Sequence, residues 1–161
     1  MKRLIICLAA STALAVPASA AAAEQFYGGK IEGGGKIGVD VTWVNGKPFQ
    51  VDAMRYRGFP ANCTGGNFLI GSTWDFNAAT VNDNRFTIDG GDGMGSKIFF
   101  KGRFRRQGRK LVGEIKEGPS TFGGEAGTCT TAKRGYTARR GDDGPHPQKM
   151  KARVHEAFRV D

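Results

Sequence analysis

The chain has 161 residues, 25 of them glycine, and its 24 lysines and arginines outweigh 15 aspartates and glutamates for a formal net charge of +9. That is one domain's worth of chain with a modest core. Beyond the first twenty residues no stretch is apolar enough to cross a membrane, and the basic balance favours solubility and attraction to anionic polymers without specifying a partner.

The first element is a leader. Lys2 and Arg3 form a short basic region, residues 4–16 are an apolar run, and Ala18-Ser19-Ala20 offer the small side chains that a signal peptidase reads. Residues 1–20 are therefore expected to be a cleaved signal peptide, with a cut after Ala23 as the alternative. A membrane anchor is the competing reading, but the run is too short to span a bilayer. Cys7 sits too early in it for a lipoprotein. The mature chain would be secreted or periplasmic. Without Lys2 and Arg3 it carries 22 basic and 15 acidic side chains, a net of +7. Two cysteines remain, Cys63 and Cys129, and in an oxidising compartment two cysteines imply one intramolecular bridge. A reactive thiol or a metal pair is the alternative, and it lacks core histidines.

Residues 24–140 read as short strands punctuated by glycine. Residues 25–31 open the domain. Ile37, Val39, Val41 and Trp43 then alternate with Gly38, Asp40 and Thr42, the period of a strand buried on one face. Asn45-Gly46 follows, a hairpin signal because both residues tolerate positive φ. Phe49, Val51 and Ala53 continue the alternation, and Met54 and Tyr56 fall on the other phase, which points to a bulge or to burial on both faces. Further strands are expected at 67–71 and 85–89. In a second hairpin Ile98, Phe100, Gly102 and Phe104 form the inner row, Gln107-Gly108 the turn, and Leu111, Gly113 and Ile115 the return. Residues 127–131 and 135–139 complete about eight or nine strands, the count of an antiparallel β-sandwich or small β-barrel. The two hairpins also align, Phe26-x-Gly28 with Phe100-x-Gly102, but any two glycine-turned hairpins look alike, and duplication is the less favoured reading.

Residues 141–161 form a basic tail. Gly141-Asp142-Asp143-Gly144-Pro145-His146-Pro147 is a linker by composition. The rest leaves room for a short amphipathic helix with Met150, Val154, Ala157 and Phe158 on one face.

Several motifs together carry a resemblance. They are Phe26-x-Gly28-Gly29-Lys30, the Asn45-Gly46 hairpin, Met54-Arg55-Tyr56-Arg57 before Cys63, Arg85-Phe86, the hairpin from Phe100-x-Gly102-x-Phe104 to Val112-Gly113-x-Ile115, and Gly127-x-Cys129 before Tyr136-Thr137-Ala138-Arg139. Over residues 26–140 the chain resembles a group of small secreted bacterial β-domain proteins with one disulfide and no assigned activity. The resemblance implies an antiparallel fold bridged from its first half to its second. It implies no cofactor and no catalytic residue.

Catalytic chemistry is hard to assemble. Both histidines, His146 and His155, lie in the tail, and a general base needs fixed geometry. Asp40 and Glu114 could act as paired carboxylates of a polysaccharide hydrolase, but both face away from the inner rows. The glycine-rich stretch from Gly90 to Lys97 has Ser96 before Lys97 and a strand after it, the wrong order for a phosphate loop. Asn82, Asp83, Asn84, Asp89 and Asp92 lack the spacing of a calcium loop and suit turns. No metal ligand set and no small-molecule cofactor is expected.

One surface feature stands out. Residues 97–116 hold eight basic side chains and one acid, Glu114. Alternation puts Lys101, Arg103 and Arg105 on one face, with Arg106, Arg109 and Lys110 at the turn. The stripe suits phosphates or an anionic envelope polymer. The bland alternative is a solubilised sheet edge, where lysine and arginine block aggregation. Three functions stay open: a non-enzymatic binding domain first, then a carboxylate-dependent hydrolase of wall or polysaccharide material, then a secreted enzyme inhibitor presenting a loop at 118–127.

Overall fold

The computed structural model describes residues 21–93, 95–146 and 155–160. The expected leader, and residues 147–154 of the expected tail helix, lie outside them. Among the described residues every regular element is a strand: β1 (Ala22–Ile31), β2 (Lys36–Val44), β3 (Lys47–Cys63), β4 (Gly66–Thr80), β5 (Arg85–Gly91), β6 (Lys97–Arg105), β7 (Lys110–Glu117), β8 (Ser120–Phe122), β9 (Gly127–Thr131), β10 (Arg134–Arg140) and β11 (His155–Arg159). All ladders are antiparallel. The sheet runs β11-β4-β3-β2-β1-β10-β7-β6-β5, with β8 on β9 and β9 on the end of β3.

The expected sandwich or small barrel takes the form of one open sheet rolled around its own core. No ladder joins β4 to β5, yet Phe76 of β4 stacks on Phe100 of β6 at 5.8 Å and Trp74 Nε1 donates to Glu117 of β7 at 3.2 Å. Bulges supply the bend. The ladder between β3 and β4 slips between Val51 and Ala53 and again between Tyr56 and Phe59, where Gly58 takes a φ of 71°. An extra residue in one strand kinks it and sharpens its twist. The phase change at Met54 and Tyr56 is the sequence trace of the first slip. Val51, Met54 and Tyr56 are all fully buried.

The inner rows are those the alternation predicts. Ile37, Val39, Val41, Phe100, Phe104, Leu111 and Ile115 are buried. Glycines in the rows make room for aromatics. Tyr136 lies opposite Gly113, which lies opposite Gly102. The Tyr136 ring stacks on Phe100 at 5.2 Å, and its Oη donates to the Lys101 carbonyl at 3.1 Å. A Cβ on Gly102 would sit 2.5 Å from that Oη. Cys63 and Cys129 are bonded, pinning β9 to the end of β3. Such a bridge is compatible with an oxidising compartment.

One expected strand bound is corrected, and two options that the sequence left open do not hold among the described residues. The fourth strand does not stop at residue 71 but runs to Thr80, because Trp74 and Phe76 continue the inward alternation. The end of the tail is not helical. Residues 155–159 add to the edge of β4 from Phe68 to Ser72, where the ladder satisfies backbone groups that a short helix would leave costly to nucleate. The two hairpins are not a residue-for-residue repeat either, since Phe100 is inside and Phe26 is outside, against His146.

Candidate functional site

Strand pairing gathers the basic side chains into rows. β10, β7 and β6 are successive neighbours in the sheet, so Arg105 stands opposite Lys110, and Lys110 opposite Arg139. The next row toward the other end of the strands holds Arg85 opposite Arg103. All these side chains point outward from the core. None of Arg103, Arg105, Lys110 and Arg139 belongs to an ion pair among the described residues.

The turn between β6 and β7 adds to the first row. Arg106, Gln107 and Gly108 have φ of 51°, 53° and 77°, a left-handed run that is costly for the two non-glycine residues. It is held from below. The Tyr27 phenol donates to the Gly108 carbonyl at 2.6 Å, and Gly108 sits where any Cβ would overlap the Trp43 ring. Tyr27 is fully buried. Burial pushes its phenol up to about 12, against the pull of Arg140 and Trp43. The Arg140 guanidinium lies 5.4 Å over the Trp43 ring. Arg106, Arg109, Lys110, Arg139 and Arg140, with Gln107 and Asp142, thus surround an open depression of about 760 Å³. Five cations converge there on a turn that the core holds in place.

The predicted stripe divides on this geometry. Lys101 is committed to Glu114 at 3.1 Å, and Lys133 approaches the same carboxylate at 3.8 Å. Lys101 and Arg103 line a separate shallow trough of about 510 Å³ with Arg85 and Glu114. Arg105 and Arg106 border a third hollow beside Trp43 and Lys47. Arg139, Arg140 and Asp142 escaped the sequence reading, because only the non-local pairing of β10 with β7 brings them to the turn.

The other candidates disperse. Asp40 of β2 and Glu114 of β7 have β1 and β10 between them, so they are not a pair. The 118–127 segment is a short hairpin anchored by buried Ser120, Phe122 and Ala126, with β8 laddered to β9 and its tip at residues 123–125 exposed. Asp92 binds Ser96 N–H through its carboxylate at 3.0 Å, which closes a plain hairpin turn. Asp83 and Asn84 are the left-handed residues of the turn from β4 to β5. Among the described residues no three histidine, cysteine, aspartate or glutamate side chains cluster as metal ligands. Comparison of the chain with protein-family models, with curated proteins and with solved structures finds no match.

Proposed function

We propose that the mature chain is a secreted, non-enzymatic binding domain for an anionic polymer of the cell envelope or its surroundings. The row of Arg105, Lys110 and Arg139, with Arg106, Arg109 and Arg140, is its contact surface. The row itself carries the reading. Like charges directly opposite one another destabilise a sheet by a few tenths of a kcal/mol or more per pair, on the order of 0.2–1 kcal/mol. Here two such pairs follow in succession without an acid between them. A solubilising edge does not account for this arrangement, because β7 and β10 are paired on both sides and have no edge to protect. A ligand that neutralises the row accounts for both its position and its lack of ion-pair partners among the described residues.

Replacing Lys110 and Arg139 together by glutamine tests this. The affinity for heparin, DNA and anionic vesicles is expected to fall tenfold or more at low salt, with thermal stability unchanged or raised. Unchanged affinity on all three would remove the reading. The hydrolase reading lacks converging carboxylates at Asp40 and Glu114.

A further inference from the structure

Residues 141–146 form a strap that leaves β10 and crosses the outer face of β1 and β2. Its bed is fitted to backbone. Gly28 and Gly38 pair across the two strands. A Cβ on Gly28 would overlap the Asp142 carbonyl, and one on Gly38 would overlap the Pro145 carbonyl. Gly28 also stands directly opposite Arg139, so the strap lies on the continuation of the cation row. It is tied at both ends. Gly141 N–H donates to the Phe26 carbonyl at 3.0 Å, and the His146 ring stacks on Phe26 at 3.7 Å with the planes 21° apart.

The strap therefore sets an acid, Asp142, at the rim of the five-cation depression, and a planar heteroaromatic ring on an exposed-side aromatic platform. Single-stranded nucleic acid is held in this way, its phosphates along cations and its bases stacked on aromatic rings. We propose that the strap is an internal mimic of a single-stranded nucleic acid, and that such a strand is the ligand that displaces it. Phosphates enter the depression that Asp142 borders, against Lys110 and Arg139, and a base takes the place of the His146 imidazole on Phe26. The inference rests on the anionic-polymer reading and narrows it. A sulfated polysaccharide satisfies the cations equally well but brings no planar ring to Phe26.

The test uses the mature chain with a fluorescein-labelled twenty-nucleotide oligothymidylate and a heparin fragment of matched length, at one salt concentration. His146→Ala is expected to tighten oligothymidylate binding several-fold and to leave heparin within twofold. Phe26→Ala, added to His146→Ala, is expected to weaken oligothymidylate about tenfold, again without an effect on heparin. Should that double variant misfold, the wild-type chain gives a second readout. Stacking on Phe26 is expected to shift the His146 ring protons upfield, and oligothymidylate, but not heparin, should return them to the free-histidine position. If both polymers respond alike to His146→Ala, or His146 stays stacked in the presence of bound oligothymidylate, the mimic is wrong. The wider reading survives that result as long as Lys110→Gln with Arg139→Gln weakens both polymers. It falls too if that pair of changes weakens neither.

Discussion

Two glycines show how differently the same residue type serves this chain. Gly102 faces inward, and a methyl group there meets the Tyr136 hydroxyl and the Phe86 ring. Overpacking of a filled core costs about 1–3 kcal/mol, so Gly102→Ala should lower the melting temperature by roughly 3–4 °C per kcal/mol for a domain of this size. Gly38 faces outward under the strap. Gly38→Ala should leave the melting temperature within a few degrees while releasing the His146 ring from Phe26, visible in its proton shifts. Equal thermal losses for the two variants would mean that the strap is part of the core. Tyr27 adds a pH dependence. Its folded-state phenol is held up at about 12 by burial, above the usual 10.0, so the folded state favours the protonated form. That contribution to stability is complete below about pH 10 and is lost as the pH rises toward 12. Urea midpoints measured from pH 8 to 12 should fall steeply above pH 10. The fall should be shallower in Tyr27→Phe, with Tyr136, raised by the same burial, supplying the remainder. Identical slopes would place the titrating groups elsewhere.

At the scale of elements, the short excursion of β8 and β9 depends on one covalent tie. The Cys63–Cys129 bridge closes a separation of 66 residues, which stabilises the fold by about 4 kcal/mol in the chain-entropy model. Replacing both cysteines by alanine should cost about that much in chemical denaturation. A loss under about 1 kcal/mol would mean that the β3–β9 ladder suffices alone. The elements also divide by what their sequences disclose. The Asn45-Gly46 turn was legible because its signal is local: both residues have positive φ, 52° and 71°. The inner rows of β2, β6 and β7 were legible from period-2 alternation, and the β3 bulge from the point where that period slips. The second half of β4 was not, because Asn77 and Ala78 break its pattern with left-handed φ of 46° and 67°. β11 was not either. Ala157 and Phe158 share a face only in a helix and fall on opposite faces of a strand, so the sequence pattern favours the helix, and only the open edge of β4 decides for the strand.

Over the whole molecule, charge and topology have to be taken together. The basic side chains of residues 97–116 are visible in the sequence as a cluster, but their division into paired and unpaired sets is not. It depends on Glu114 meeting Lys101 across β6 and β7, and on β10 returning from residue 134 to lie between β7 and β1. That return brings Arg139 into the row, Arg140 over Trp43, and the strap onto Gly28 and Gly38. The most direct test compares salt dependence across this division. Affinity for a single-stranded oligonucleotide is measured from about 50 to 200 mM salt for the wild-type chain, Lys101→Gln, and Lys110→Gln with Arg139→Gln. Each phosphate contact on a single strand contributes about 0.7 to the slope of log affinity against log salt. The slope is expected to fall by about 1.4 in the double variant and to stay at the wild-type value in Lys101→Gln, whose charge is already engaged by Glu114. Equal slopes in all three proteins would contradict the account.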